Sequence, residues 1–69
     1  MAGITVKVNG ESRSVREDTT LEGLALMLGL RTDRIAAELN GGIVPKAEYG
    51  DTVLKDGDCV ELVNFVGGG

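Results

Sequence analysis

The sequence lacks histidine and tryptophan and contains a single cysteine, Cys59. Without histidine no Ser-His or Cys-His nucleophile pair can form. The usual zinc sites are also excluded, because they need several histidine or cysteine ligands and the chain has one cysteine. One cysteine also excludes an intramolecular disulfide and fits a reducing cytosol better than a secreted scaffold. We therefore expect no metal and no catalytic set, and a fold stabilised by its own hydrophobic core.

An excess of positive charge is also missing, since the formal net charge is −4. Affinity for a phosphate backbone comes largely from lysine and arginine, so the composition excludes nucleic acid as a partner. No apolar run approaches the roughly 20 residues that span a bilayer, and the N-terminus lacks the regions of a signal peptide. We expect a cytoplasmic protein that does not associate with membranes and is a monomer when free.

The 69 residues allow one domain, and its first element is a predicted hairpin. Apolar residues alternate from Ile4 to Val8, which is typical of a half-buried strand. Asn9-Gly10 follows and favours a type I′ turn. The chain is therefore predicted to return as an antiparallel strand over Glu11–Val15, whose polar composition indicates a sheet edge.

A helix is predicted after this hairpin. Thr19 and Glu22 have capping-box spacing, and Gly29 is a candidate helix C-terminus. The helical spacing i, i+3, i+4, i+7 is shared by four residues that form an apolar stripe: Leu21, Leu24, Ala25 and Leu28. Three further apolar residues are interpreted mainly as core and hairpin-facing packing: Leu26, Met27 and Leu30.

Three more strands are predicted from the alternation that follows. The first covers Ile35, Ala37 and Leu39, and turns at Asn40-Gly41-Gly42 into a short strand that ends before Pro45. An irregular stretch or short helical turn follows over Pro45–Gly50, anchored by Tyr49. A short strand is then predicted over Thr52–Leu54.

The last strand is predicted over Cys59–Phe65, after a turn at Asp56-Gly57-Asp58. Alternation places Val60 and Leu62 on one face of this strand. Val63 and Phe65 lie on the other, either as the second side of a core or as an exposed apolar docking patch. Cys59 is interpreted as a structural cysteine rather than a sulfur-bearing group, because it lies within a predicted strand, away from the glycine end and without a cationic neighbour in sequence.

Together these elements predict an α+β fold with a small mixed sheet packed on one main helix. If the first and last strands are neighbours at the centre, they run parallel, and the helix lies in the connection between them. The domain is predicted to cover residues 1–66, followed by a flexible glycine tail over residues 67–69. Such a tail is either a frayed end or a thin arm that presents its terminal carboxylate.

The sequence resembles the ThiS family of ubiquitin-like β-grasp sulfur carriers over essentially its whole length. The resemblance depends on four features in this order: the Val8-Asn9-Gly10-Glu11 hairpin, the Asn40 turn followed by Ile43-Val44-Pro45, the Asp56-Gly57-Asp58 turn, and the end Val66-Gly67-Gly68-Gly69. Each feature is weak alone, but the order in a chain of this length is specific. The resemblance implies a ubiquitin-like β-grasp fold.

The resemblance also implies a protein co-substrate rather than an enzyme. An E1-like, ThiF-like adenylyltransferase would adenylate the carboxylate of Gly69 with ATP. Sulfur from a cysteine desulfurase or another persulfide donor would then give a thiocarboxylate, which supplies a ThiG-like thiazole synthase in thiamine biosynthesis. The sequence has neither a G-x-x-x-x-G-K-[ST] loop nor a G-x-G-x-x-G fingerprint, so ATP would be bound by the partner and no cofactor by this chain.

The expected site therefore lies at the end of the chain. Gly69 carries the reacting carboxylate, and Gly68 and Gly67 give it access to a narrow site because they have no side chain. Val63, Phe65 and Val66 are the candidate partner-binding residues.

Three alternatives remain open. A sulfur carrier for molybdopterin synthesis or tRNA thiolation has the same fold and tail. A ubiquitin-like modifier instead joins its terminal carboxylate to a lysine of a target protein. The third alternative is a small interaction domain with an incidental tail.

Overall fold

The structure is a computed structural model and describes residues 2–65 of the chain. Five strands, one α-helix and two 3₁₀ helices follow in the order β1 (Gly3–Val8), β2 (Glu11–Arg16), α1 (Leu21–Met27), a 3₁₀ helix (Thr32–Arg34), β3 (Ile35–Leu39), β4 (Gly42–Val44), a 3₁₀ helix (Lys46–Asp51) and β5 (Cys59–Asn64). The predicted boundary between domain and tail at residues 66 and 67 lies outside the described residues.

The five strands form one mixed sheet in the order β2-β1-β5-β3-β4. β1 and β5 are parallel neighbours, whereas β1 with β2, β3 with β4 and β3 with β5 are antiparallel. The last strand of the chain is thus the central strand of the sheet, and α1 lies in the connection that carries the chain across. The predicted α+β architecture, with parallel first and last strands, is confirmed.

The turn between β1 and β2 has the predicted type I′ backbone, with φ of 51° at Asn9 and 87° at Gly10. Val8 pairs with Glu11 across it, and β2 lies at the edge of the sheet as predicted. This hairpin fixes where β1 ends, which matters for the strand on its other side.

The start of α1 differs from the prediction. Thr20, not Thr19, is the N-cap, and its Oγ1 accepts a hydrogen bond from the Gly23 N–H at 3.0 Å. The Thr19 hydroxyl instead donates to the carbonyl of Arg16 at 2.6 Å. The helix begins later because Thr20 is held extended by an isolated bridge to Val53. This long-range bridge thus makes Thr20 the N-cap in place of the predicted Thr19.

Residues Thr52–Leu54 do not form the predicted strand, since the bridge between Thr20 and Val53 is isolated. The Leu21 N–H donates to the Thr52 carbonyl at 2.8 Å, and the Leu54 N–H to the Thr19 carbonyl at 2.9 Å. These two bonds join the segment only to the start of α1, so the pairing cannot extend once the helix begins.

The end of α1 is a Schellman motif around Gly29, as its position predicted. Gly29 has φ of 78°, and its N–H donates to the Leu26 carbonyl at 3.0 Å. The Leu30 N–H reaches back to the carbonyl of Ala25 at 2.9 Å. Leu30 packs against the core next to this closure.

The core lies between one face of the sheet and the predicted stripe of α1. Leu21, Leu24 and Ala25 are fully buried, and the sheet contributes buried side chains from four strands: Val6, Val8, Val15, Ile35, Ala37, Val60 and Leu62. Tyr49 is also buried, and its hydroxyl donates to the Ile35 carbonyl at 3.0 Å, which confirms its anchoring role.

Leu26 and Met27 were interpreted as core residues, and this is wrong because both are exposed. At about 100° per residue they lie on the side of α1 opposite to the Leu21–Leu24–Ala25 stripe, so one sheet cannot bury them. None of the helices within residues 2–65 has the length and apolar character that crossing a membrane requires.

Candidate functional site

The end of β5 carries the predicted partner-binding residues. Val60 and Leu62 are buried against the core, as the alternation predicted. Val63 and Phe65 point to the opposite face, where 56% and 57% of their surface is exposed. The structure therefore excludes a second side of the core here and leaves an exposed apolar pair. The remaining predicted site residues, Val66 and residues 67–69, lie outside the described residues.

β3 pairs with β5 along all of β5 except its first residue, Cys59. The register runs from Leu39 opposite Val60 to Ile35 opposite Asn64. Beyond the strand, the Phe65 N–H donates to the Arg34 carbonyl at 2.7 Å. Backbone hydrogen bonds on this side therefore continue as far as Phe65, which precedes Gly69 by four residues in the sequence.

On its other side β5 extends beyond its neighbour β1, because β1 ends at Val8. The parallel register covers only Lys7 with Cys59 and Val8 with Val60. Leu62 therefore faces a position that has no strand.

The side chain of Asn9 fills that position. Its Oδ1 accepts from the Leu62 N–H at 2.8 Å, and its Nδ2 donates to the Leu62 carbonyl at 3.1 Å. The Asn9 backbone N–H also donates to the Val60 carbonyl at 2.9 Å. A carboxamide has the donor and acceptor of a peptide group, so Asn9 substitutes for the next residue of a strand. The sequence predicts the turn here but not this function of the Asn9 side chain.

The first residues of β5 are held by a second asparagine turn. Asn40 Oδ1 accepts from the Cys59 N–H at 2.9 Å, and the Asn40 N–H donates to the Cys59 carbonyl at 2.8 Å. Asn40 Nδ2 also donates to Asp58 Oδ1 at 3.1 Å. Asparagine at the first position of an Asn-Gly turn beside a strand was the only sequence signal for either contact.

The turn before β5 is stabilised by its own carboxylates. Asp56 Oδ1 accepts from the Thr5 N–H and Asp58 Oδ2 from the Lys55 N–H, both at 2.8 Å. Gly57 has φ of 89°, a left-handed conformation that glycine adopts without a Cβ clash. These two aspartates are turn residues, as their spacing indicated.

The sheet face opposite α1, which we call the outer face, combines apolar and acidic side chains. Glu61 of β5 lies directly across from Glu38 of β3, and Glu38 lies across from Ile43 of β4. Val63 faces Ala36 in a neighbouring row. Ile43 is 80% exposed. Register alone brings these residues together, so no local pattern in the sequence predicts that they are neighbours.

Cys59 lies on the outer face at the start of β5 and is exposed. The interpretation of it as structural is therefore not supported by packing. It lines a depression of about 330 Å³ together with Lys7 and Ser12. Within residues 2–65 no three histidine, cysteine, aspartate or glutamate side chains are grouped to hold a metal ion. Cys59 begins β5, at the opposite end of the strand from Phe65.

Comparison with known proteins gives a consistent result. The model of the ThiS family matches residues 6–69. A protein named thiazole synthase from Magnetococcus marinus is 41% identical over 64 residues, which are 93% of this chain but only 20% of that protein. The sulfur carrier protein ThiS of Bacillus subtilis is 34% identical over 93% of this chain and 98% of its own length.

The fold is also similar to a solved structure. The crystal structure of the thiamine biosynthesis protein (ThiS) from Geobacter metallireducens superposes with a TM-score of 0.80 at 32% identity, covering 96% of this chain and all of that one. The predicted ubiquitin-like β-grasp fold is thereby confirmed.

Proposed function

The chain belongs to the ThiS family of sulfur carriers in thiamine biosynthesis, and from this premise we propose that the carboxylate of Gly69 is adenylated and then converted to a thiocarboxylate. The observation that carries the proposal is the extent of the family match, which includes the last three glycines. The chain acts as a co-substrate, and the catalytic groups belong to its partners.

The chemistry explains why the carboxylate needs a partner with ATP. An α-carboxyl has a pKa of about 3.3 to 3.7, so at neutral pH it is an anion and a poor electrophile. When its oxygen attacks the α-phosphorus of ATP, the bond to the β-phosphate breaks and pyrophosphate leaves. The resulting acyl-adenylate has AMP as its leaving group.

Sulfur enters at the acyl carbon. A persulfide on the donor attacks this carbon and AMP leaves, which gives an acyl disulfide. A thiol then attacks the donor-side sulfur, so that the sulfur–sulfur bond is reduced, a new disulfide forms and the thiocarboxylate of Gly69 is released. A cysteine desulfurase or another persulfide donor supplies the sulfur.

The sulfur acceptor that we propose is a ThiG-like thiazole synthase. Nearly the whole of this chain matches one fifth of a protein that is named for that activity. A carrier-like segment within a synthase supports the view that the two act in one reaction sequence. This match favours thiazole synthesis over molybdopterin synthesis or tRNA thiolation.

The adenylating partner that we propose is a ThiF-like enzyme, and Val63, Phe65 and Val66 contact it. Val63 and Phe65 are exposed at the end of β5 that leads to Gly69. Ordering each glycine of the tail loses about 1 to 2 kcal/mol or more of backbone entropy. Burial of the two apolar side chains on the partner offsets this loss.

The test is intact-mass analysis after incubation with the host's adenylating enzyme, ATP and a persulfide donor. We expect an oxygen-to-sulfur mass increase that fragmentation localises to Gly69. Deletion of Gly69 abolishes the increase and leaves folding unchanged. Gly68→Ala slows the rate of this modification by about a hundredfold, which is the loss that a misplacement of ~1 Å causes. The matched variant Gly67→Ala is modified at nearly the wild-type rate.

Other outcomes identify the alternatives. High-mass conjugates through lysine indicate a protein modifier, and transfer to a molybdopterin or tRNA enzyme but not to thiazole synthase indicates another carrier pathway. An unmodified wild-type chain, or a Gly69 deletion that is modified normally, contradicts the proposal.

A further inference from the structure

Two Asn-Gly dipeptides close the two hairpins of the sheet. Asn9-Gly10 joins β1 to β2 and Asn40-Gly41 joins β3 to β4, with φ of 51° and 52° at the two asparagines. An asparagine loses its side-chain amide most readily when glycine follows, because glycine has no side chain to obstruct attack by its own backbone nitrogen. A Cβ atom built on either glycine meets no atom within 4 Å, so the space beside both is open.

This loss, deamidation, needs no enzyme. The backbone nitrogen of the glycine attacks Cγ of the asparagine, the bond from Cγ to Nδ2 breaks, and ammonia leaves with the proton that the nitrogen has given up. The resulting succinimide takes up water at either of its carbonyls, which gives aspartate or, by the more frequent cleavage, isoaspartate. One amide and one water molecule become one carboxyl group and one ammonia, and nothing is oxidised or reduced.

The folded turns oppose this reaction. Both carboxamides are bonded to β5 or to the residue before it, Asn9 to Leu62 and Asn40 to Cys59 and Asp58. The succinimide forms only when the left-handed turn opens and the carboxamide leaves these partners. The rate in the folded protein therefore depends on how often each turn opens locally.

The two turns differ in what local opening disrupts. Asn9-Gly10 closes a hairpin of six cross-strand pairs, and β1 lies inside the sheet between β2 and β5. Asn40-Gly41 closes a hairpin of only three pairs, and β4 is an edge strand. The side-chain bonds of Asn9 are partly buried, whereas those of Asn40 are exposed. Water replaces the exposed bonds at once, so the turn at Asn40 opens more often.

We propose that Asn40-Gly41 is a site of spontaneous deamidation in the folded protein and that Asn9-Gly10 is protected from it. The isoaspartate that forms at position 40 makes the chain a substrate for a carboxyl methyltransferase that recognises isoaspartate. The site is independent of the proposed function, because deamidation requires no adenylating enzyme.

Deamidation at this site weakens the fold. Asn40 Nδ2 donates to Asp58 Oδ1 at 3.1 Å, and a carboxylate in its place puts two negative charges at that contact. In isoaspartate the backbone is also longer by one methylene group, which the tight turn between Leu39 and Gly42 does not accommodate. The modification therefore limits the lifetime of the folded chain.

The test compares the two asparagines within one chain. The full chain is incubated at neutral pH, either folded or unfolded in urea, and digested with trypsin, which separates the two sites into residues 8–13 and 35–46. Mass spectrometry follows the amide-to-acid conversion in each peptide over time. In urea the two sites react at similar rates because both are Asn-Gly. In the folded chain we expect Asn40 to react about tenfold faster than Asn9 or more.

Two further measurements identify the product and its effect. An isoaspartate-specific carboxyl methyltransferase with labelled S-adenosylmethionine should label the peptide of residues 35–46 from the aged folded chain. Asn40→Asp should lower the melting temperature of the free chain, because the new carboxylate faces Asp58. The matched control is Asn40→Asp/Asp58→Asn, in which the amide and the carboxylate exchange places, and it should recover most of the loss. Asp58→Asn alone completes the double-mutant cycle.

Several results overturn the inference. Equal rates at the two asparagines of the folded chain, or a faster rate at Asn9, show that the fold does not select the site. A folded chain that reacts at neither asparagine, while the unfolded chain reacts at both, shows that both turns are protected. A deamidated peptide that accepts no methyl group excludes the succinimide route. A double variant that is no more stable than Asn40→Asp shows that charge repulsion with Asp58 is not the cause of the loss.

Discussion

The turns Asn9-Gly10 and Asn40-Gly41 have the same dipeptide and almost the same backbone, with φ of 51° and 87° in the first and 52° and 88° in the second. Their asparagine side chains nevertheless bind different parts of β5. Asn9 bonds both backbone groups of Leu62, whereas Asn40 bonds the N–H of Cys59 and the carboxylate of Asp58. A local signal thus determines the shape of a turn, and the strand order determines what its side chain reaches.

The two asparagines also differ in their surroundings. The bonds between Asn9 and Leu62 are partly buried, while those of Asn40 are exposed. Water can replace a lost partner at an exposed group but not at a buried one. Asn9 also binds the half of β5 that leads to Val63 and Phe65, the two described residues that we propose contact the adenylating enzyme.

The largest effect is expected from Asn9→Ala. The positive φ at this position destabilises an alanine by about 1–2 kcal/mol. The variant also leaves the backbone N–H and carbonyl of Leu62 without these hydrogen-bond partners, which costs about 1–3 kcal/mol. We expect the free energy of unfolding to fall by about 3 kcal/mol in urea denaturation.

The control for this variant is Gly10→Ala. Its added methyl group meets no atom within 4 Å, and φ is 87°. It therefore reports backbone strain alone and should lose only about 1–2 kcal/mol. Equal losses in the two variants would show that the Asn9 side chain contributes nothing beyond the turn.

A smaller difference separates Asn9→Gly from Asn40→Gly. Glycine keeps the positive φ in both turns and adds the same freedom to the unfolded chain, so only the side-chain bonds differ. We expect a loss of about 2 kcal/mol for Asn9→Gly and about 1 kcal/mol for Asn40→Gly.

Amide hydrogen exchange localises these two losses. The Leu62 N–H exchanges faster in Asn9→Gly and the Cys59 N–H in Asn40→Gly, each without the reverse effect. If Leu62 is equally exposed to exchange in both variants, the asparagines act through general stability, and the comparison between them fails.

Periodicity and the Asn-Gly dipeptides predicted the five strands, the two turns and the buried stripe of α1, because these depend on neighbours a few residues apart. The sixth predicted strand, over Thr52–Leu54, does not form. These local patterns did not predict the cap at Thr20, which depends on a bridge to Val53. Nor did they separate Leu26 and Met27 from the core, since their exposure depends on having one sheet on one side of α1.

The candidate site shows the same limit. Alternation placed Val63 and Phe65 on one face of β5, but only the position of α1 on the other face shows that they are exposed. The pairing of Glu38 with Glu61 depends on the register between β3 and β5, which sets residues 23 positions apart side by side. Contacts across that separation leave no periodic signal in the chain.

The smallest effect is expected at the contact between Arg31 and Asp33, which is exposed like that of Asn40 but spans only two residues. Arg31 donates to Asp33 at 2.9 and 3.2 Å, and this hydrogen bond, followed by the positive charge of Arg31, lowers the pKa of the Asp33 carboxyl. A carboxyl whose pKa is lowered in the folded state stabilises that state at pH values above the unfolded-state pKa. That contribution is lost as the pH falls through the folded-state pKa.

We therefore expect Asp33→Asn to lower the melting temperature at neutral pH by less than Asn40→Gly does, and the difference from wild type to vanish in acid. NMR titration of Asp33 in the wild type gives the pKa directly, and thermal melts at both pH values give the stability. Solvent screens an exposed pair, and two residues this close in sequence also meet in the unfolded chain, so folding gains little from their contact. A loss as large as that of Asn9→Gly would mean that neither burial nor sequence separation decides how much a polar contact contributes in this fold.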